Sequence, residues 1–478
     1  MLRIFYDRIY VSDEEKIVPN GISEEWIDFY IPEFDPREFR KEFGFEAPVY
    51  PSDLNSDCDN AVRHTVDEIE VKFKDTEGCL GIFPIEGFGN PDRSLGTDEQ
   101  WNEFYGTSIS YFSDDAKKYI QQGKLKLFYG LIQEAFLTDN EMIGLHKEMV
   151  RFDFYDGVVG VNDFLLEKRY KKWCKDNDEI PRYKVIVYNH SLFEKSSEIY
   201  AILNDLDSGV FMIGSQYKEH KNLAMTLEDF ENLRSKKRKS NFLSLNRRMR
   251  SYRRAVLCVL QYNNLLDDNL VSFNFNLDPA RYDIDSVVNN VKFRMYSKSF
   301  KELKKIRIKT VDYPIAMEGK DGICHGYGFE NCKPYMESYC SIVTETRFEA
   351  PTGYVSEKAW KPVAYFQPFI LVGSPGSLAY MREFGFKTFS PFIDESYDNF
   401  KNPKRRFNII EKEIIRIGKM TKNEIHNWYW CMDDILVHNY KLFMEYAQNH
   451  TDRSFMSEFF DSIEAGRTET FIPEFRRK

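Results

Sequence analysis

Short, nearly continuous apolar runs alternate with amphipathic stretches along most of this chain. In the first half, CLGIFPI, KLKLFYG, GVVGV and YKVIVYN read as strands, and helical periodicity follows at about 139–150, 163–175 and 193–204. Runs without polar alternation suit strands covered on both faces, as in parallel sheets layered with helices. A second series begins at NFLSLN and continues through a helix near 249–263, NLVSFN, an insertion from about 277 to 335, YCSIVTE, a helix near 357–366, PFILVG, a helix near 377–384 and KTFS. Helical patterns near 403–418, 422–447 and 452–464 complete the chain, whereas 10–80 is rich in acids and proline and weakly periodic.

Between the two series the pattern lapses into KEHKNLAMTLEDFENLRSKKRKS, a helix followed by a charged connector. We therefore expect an α/β protein of two facing Rossmann-like domains: an acceptor-side domain over 1–225, a basic linker over 226–240, a nucleotide-binding domain over 241–440 and a helical tail over 441–478. A length of 478 residues is itself more than one hydrophobic core normally serves.

Composition narrows the class. A formal net charge of −10 gives no long-range attraction to polyanions or anionic membranes. MLRIFYDRIYVSDEEK places charges where a signal peptide needs an apolar segment, and no run reaches the length of a membrane span. The eight cysteines contain no CxxC pair, which fits reduced thiols and a cytoplasmic location, the host cytoplasm if the source is viral. Cys324, His325, Cys332 and Cys340 lack the tight pairing of a structural zinc site, and the D-x-D strings at Asp205–Asp207 and Asp283–Asp285 are what an acidic chain produces by chance. No metal and no cofactor is expected.

The chemistry concentrates in YCSIVTE and the following TRFEAPTGYVSEKAW. Ser356 is placed to cap a helix whose first turn carries Glu357 and Lys358; a helix start with an adjacent ammonium favours phosphate, and a carboxylate beside it accepts ribose hydroxyls. Pro362 predicts a kink or a short first turn. Next, PFILVG leads into GSPGSL, where Gly373 and Gly376 let backbone N–H groups approach a ligand. Taken singly, each of these is also an ordinary capped surface helix or glycine turn.

Together the pattern S-x-V-x-E, then Y-V-S-E-K, then a strand and a glycine turn resembles the donor motif of the α-1,3-fucosyltransferases. The extended form, ending FIDESYD, is similar to glycosyltransferase-like proteins of bacteriophages and large viruses. The resemblance covers about 240–400, with a weaker stretch at GVVGVNDFLLEKRYKKWC. It implies the GT-B fold and a nucleotide-diphosphate sugar bound in the second half, with Glu357 at the ribose, Lys358 at the pyrophosphate, and Glu345, Tyr354, Ser356, Gly373 and Gly376 around them. The chain departs at Thr346, where the fucosyltransferases carry Asn.

NFLSLNRRMRSYRRAVL sets a basic turn directly after a strand. Arginine forks stabilise a departing diphosphate, and the stretch resembles the family's diphosphate-binding segment. Arg247, Arg250 and Arg253 are all candidates; with RSKKRKS upstream, the window also reads as a solvated linker or a nucleic-acid patch.

An inverting transfer needs a base for the acceptor hydroxyl. Acids near first-half strands are Glu134, taken first because it follows KLKLFYG and neighbours Phe136, then Glu86 and Asp156, with Asp163 and His190 also nearby. The expected reaction is metal-independent sugar transfer to a glycan, protein or modified-DNA hydroxyl. Rival readings are a phage-type transferase acting on hydroxymethylated bases and a non-catalytic glycan- or nucleotide-binding module.

Overall fold

In a computed structural model of the protein, the described residues are 3–6, 62–85, 109, 112–131, 137–204, 224–246, 250–273, 332–348, 352–451, 462 and 471–473. They form two compact units, the first Met1–His190 with Asp452–Lys478 and the second Ser191–Thr451. The basic segment 226–240 thus lies inside the second unit. No helix among the described residues is long and apolar enough to cross a membrane.

The first unit carries strands β1 (Arg3–Tyr6), β2 (Val62–Thr65), β3 (Gly81–Ile85), β4 (Leu125–Leu131), β5 (Gly157–Val161) and β6 (Tyr183–Val187). They form one sheet in the order β2-β1-β3-β4-β5-β6, with every pair parallel. Helices α1 (Glu68–Lys72), α2 (Asp114–Gln121), α3 (Asp139–Arg151) and α4 (Leu166–Asp176) lie between them in sequence. All five residues of β5 are buried, as a strand covered on both faces requires. The start of α3 is fixed by a capping box between Thr138 and Glu141. Near the C-terminus the Phe471 N–H donates to the Val187 carbonyl at 2.8 Å, which ties that segment to the end of β6.

The second unit begins at the second residue of α5 (His190–Leu203), continues with α6 (Leu227–Asn232) and contains β7 (Ser240–Asn246), α7 (Ser251–Tyr262), β8 (Leu270–Phe273), α8 (Lys333–Met336), β9 (Ser338–Thr344), α9 (Glu357–Ala364), β10 (Phe369–Val372) and α10 (Ser377–Glu383). Helices α11 (Pro403–Gly418), α12 (Lys422–Trp430) and α13 (Asp433–Thr451) follow. The four strands pair in parallel in the order β10-β9-β7-β8, and β9 and β10 are buried throughout. The α/β class with two parallel sheets is therefore what the strand and helix pattern led us to expect. α9 ends two residues beyond Pro362, which has no N–H to continue the ladder.

Three local expectations need correcting. KTFS is not a strand, and of its four residues only Phe389 is buried: Asn439 accepts from the Lys387 N–H and donates to its carbonyl, both at 2.8 Å, and Glu395 accepts from the Phe389 N–H at 2.6 Å. Side chains thus replace a ladder partner. The helical pattern over 422–447 is divided into α12 and α13, with a fresh N-terminus at Asp433. The four-residue strands β1 and β2 were not anticipated.

Candidate functional site

The strand order in the second sheet reverses between β7 and β9: from β7 the chain goes to β8 on one side, then returns to β9 and β10 on the other. At such a switch point the connections diverge and leave an opening beyond the strands' carboxyl ends, the usual ligand position in open α/β sheets. Those ends are joined here by the Thr344 hydroxyl, which donates to the Asn246 side-chain carbonyl at 2.6 Å. Asn246 in turn donates to the Ser244 hydroxyl at 3.0 Å.

The start of α7 leans on the end of β9. The buried Arg253 donates through Nη2 to the Thr344 and Glu345 carbonyls at 3.2 and 3.3 Å, and the Tyr252 hydroxyl also donates to the Glu345 carbonyl. Burial lowers the Arg253 pKa, with Arg250 adding to the effect and Glu345 and Glu357 opposing it. Burial likewise raises the Tyr252 phenol, against the pull of Arg253, Arg250 and Lys358 and with the help of Glu345. The charges of two segments distant in sequence thus converge on one place. Arg250 itself stands at the N-cap of α7, half-buried, and its Nε has no hydrogen-bond partner among the described residues.

Ser356 caps α9 as its sequence predicts. Its backbone is extended, and its hydroxyl accepts from the Lys358 N–H at 3.3 Å and from the Lys358 ammonium at 3.4 Å. That ammonium also lies 2.5 Å from the Glu357 carboxylate. Glu357 is buried; burial pushes its carboxyl up, but Lys358, Lys361 and Lys195 outweigh that and leave it below the usual carboxylate range. Lys195 comes from α5, on the same helix face as Ser191 one turn earlier, and the Ser191 hydroxyl is 3.3 Å from the Tyr354 hydroxyl. No local sequence signal marks Ser191 or Lys195, because their relevance arises only once α5 meets the 354–361 segment.

Glu345 is fully buried behind this turn. Its Oε1 accepts from the Ser356 N–H at 3.0 Å and its Oε2 from the Ser356 hydroxyl at 2.5 Å. Gly373 explains how it fits: a Cβ there would stand 3.1 Å from the Glu345 Cγ. The GSPGSL turn differs from expectation. Asp398 takes the N–H groups of Leu378 and Ala379 with its carboxylate, at 3.2 and 3.0 Å, and that of Gly376 with its carbonyl, at 2.9 Å. Gly376, at φ 83°, lets the chain make this closure, so the donors thought to face a ligand hold the fold instead.

No protein-family model and no curated protein matches the sequence. Among solved structures, the chain is similar to the α,α-trehalose-phosphate synthase (UDP-forming) of Burkholderia vietnamiensis, at 10% identity and a TM-score of 0.32 over 89% of this chain and 80% of that one. It is similar to trehalose-6-phosphate synthase OtsA at 12% identity and a TM-score of 0.35, covering 91% and 85%. An E. coli trehalose-6-phosphate protein bound with UDP-2-fluoro glucose gives 12% and 0.34, covering 94% and 92%. At these scores the likeness assigns neither substrate nor activity to this chain.

Of the candidate bases, Glu134 and Glu86 lie outside the described residues, as does Arg247. Asp156 precedes β5, at φ 55° and exposed, with Lys184 at 3.9 Å. It is therefore at the amino end of a parallel strand, opposite the end where ligands collect, and we withdraw it as a base. Asp163 is past β5 but fully buried, accepting from the Leu165 N–H and from Arg169 at 2.6 Å. His190 opens α5.

In the basic run Arg238 is buried, whereas Arg234, Lys236, Lys237 and Lys239 are exposed. Arg238 is buried over the Tyr429 ring at 4.0 Å and donates to the Tyr335 and Ser338 carbonyls. Lys239 pairs with Glu337, Lys237 donates to Asn423, and Arg234 pairs with Glu231 and Asp433 while covering Trp430 at 4.3 Å. Cys332 and Cys340 are free, buried thiols pushed up by burial; Cys324 and His325 fall outside the described residues. Among the described residues no three metal-ligating side chains gather.

Proposed function

We propose that this protein is a GT-B-type glycosyltransferase that binds a nucleotide-diphosphate sugar at the switch point of its second sheet and transfers the sugar to an acceptor hydroxyl. The observation that carries this reading is that two helix starts are tied to Glu345 just past β9: Tyr252 and Arg253, next to the Arg250 N-cap of α7, hold its carbonyl, and its carboxylate accepts from Ser356, the cap before Lys358 at α9. A departing diphosphate gains negative charge as the glycosidic carbon–oxygen bond breaks, and prearranged cations and a helix N-terminus stabilise it where it forms. Lys358 and Arg250 face that charge in our assignment, and Glu357, held ionised by its lysines, accepts from the ribose hydroxyls.

In the reaction the acceptor oxygen bonds to the anomeric carbon from the face opposite the leaving group. The electron pair of the broken bond goes to the diphosphate, and the acceptor's proton goes to a first-unit carboxylate, Glu134 ahead of Glu86. This gives inversion through an oxocarbenium-like transition state without a metal. Arg253 is better suited to bracing β9 than to touching the donor, since its guanidinium is already engaged with two carbonyls.

The test is a panel of nucleotide-diphosphate sugars, scored by stabilisation of the fold and by release of free nucleoside diphosphate. Stabilisation and release by one donor support the transferase. Stabilisation without release, with and without acceptor sugars, would leave a binding module, and no response to any donor would refute the site.

A further inference from the structure

We propose that Glu345 is a positioning residue of this site, clamping the Ser356–Lys358 turn in its anion-accepting arrangement from behind without touching the ligand. The inference rests on the donor-site reading above. It begins with the hydroxyl of Ser356, which has a single proton to give and two lone pairs with which to accept. That proton goes to Glu345 Oε2 at 2.5 Å. The lone pairs are thereby left to receive the Lys358 N–H at 3.3 Å and the Lys358 ammonium at 3.4 Å. An acceptor-only carboxylate behind Ser356 sets the polarity of the hydroxyl; a group able to donate at that position would allow the reverse orientation and dissolve the cap.

The clamp is itself held rigidly. The Glu345 N–H donates to the Val372 carbonyl at 3.0 Å, while Arg253 and Tyr252 secure its own carbonyl. Its second oxygen accepts from the Ser356 N–H at 3.0 Å, and the Thr346 N–H donates to Oε2 at 3.3 Å. Gly373 leaves the space its side chain needs. With no exposed surface, the carboxylate cannot reach a ligand; it connects the arginine helix to the lysine turn, so the two halves of the anion site keep a fixed spacing. Burial raises its pKa, opposed by Lys358 and Ser356.

The experiment compares wild type, Glu345→Gln, Ser356→Ala and the double variant, with inorganic pyrophosphate titrated calorimetrically well below the melting temperature. Lys358→Ala serves as the control. Each single change should weaken pyrophosphate by roughly tenfold, the size of one lost charge-assisted hydrogen bond, and the double variant should be no weaker than either. Backbone amide exchange of Ser356 and Lys358, measured without ligand, should quicken in Glu345→Gln. If affinity falls in Lys358→Ala but is unchanged in Glu345→Gln, or if exchange is unchanged, the clamp is wrong. If wild type binds no pyrophosphate and no nucleoside diphosphate while exchange still quickens, the donor-site reading fails and the clamp is only a structural cap. Should Glu345→Gln not fold, Ser356→Ala alone carries the same affinity and exchange measurements.

Discussion

The Lys358 ammonium rests 2.5 Å from the carboxylate of its chain neighbour Glu357, the lysine partly exposed and the glutamate buried. Neighbours in sequence at a helix start rarely need one another, so the pairing is informative: the buried acid is neutralised by a cation that still has solvent, or a ligand, on its other side. Lys361 and Lys195 also act on Glu357, so Lys358 is not its sole support. Lys358→Ala should therefore leave the fold intact and weaken nucleoside diphosphate binding by about 1.5–3 kcal/mol, the worth of a charge-assisted contact. Calorimetric titration measures this directly, and an unchanged affinity would make Lys358 a surface residue.

Arg250 and Arg253 lie one turn apart but should respond oppositely. Arg253→Ala removes donors from two buried carbonyls at the end of β9 and should cost about 2–4 kcal/mol of stability. Arg250→Ala should leave the urea midpoint nearly unchanged and reduce diphosphate affinity. Denaturation and titration of both variants separate the roles; a stability loss confined to Arg250→Ala would reverse them.

The engaged state of the basic run makes a prediction against nucleic-acid binding. Arg238→Ala removes one of two donors from the Tyr335 and Ser338 carbonyls, which keep Gln367, and empties the face of Tyr429, so it should lower stability by about 1–3 kcal/mol. Any weak affinity for duplex DNA should be the same in the variant. A steep salt dependence of duplex binding that flattens in Arg238→Ala would restore the DNA-directed reading.

In the first unit, His146 is fully buried, with Nδ1 2.8 Å from the Tyr170 hydroxyl and Nε2 3.4 Å from Glu179. Tyr170 also accepts the Arg182 N–H at 2.8 Å. Burial lowers the histidine below its ordinary 6.5, only partly offset by Glu179. A histidine harder to protonate folded than unfolded stabilises the fold at neutral pH, and that contribution is lost as pH falls below about 6.5. The melting temperature should drop between roughly pH 7 and pH 5 more steeply in wild type than in His146→Gln. Parallel profiles would mean that this histidine does not titrate on unfolding.

How much of this was legible in the sequence depends on the range of the forces involved. The long buried strands announced themselves, because a strand covered on both faces must be apolar at every position, as β5 and β9 are. The Ser356 cap was legible because capping acts over two residues. What stayed hidden depends on partners brought together only by folding: Asp398 closing the start of α10, Asn439 standing in for a strand beside Lys387, and Ser191 and Lys195 arriving from α5. The burial of Arg238 stayed hidden for the same reason, since nothing near it in sequence indicates that Tyr339 and Tyr429 will flank it.

The base and the question of metal are tested together. With Arg250, Lys358 and the start of α9 available for the departing diphosphate, a divalent cation would be redundant at that oxygen, so activity should survive EDTA. In the proposed reaction the acceptor's proton then leaves by a protein carboxylate. Glu134 comes three residues after the end of β4 in sequence, and Asp156 lies at the amino end of its strand, so Glu134→Gln is the decisive variant. It preserves shape and removes basicity: turnover should fall by roughly a hundredfold or more, while donor affinity should be nearly unchanged because the proposed donor contacts lie in the second unit. Full activity in Glu134→Gln would transfer the role to Glu86, and loss of donor binding would make Glu134 structural. Activity abolished by EDTA and restored by manganese would overturn the metal-free reaction whatever the base.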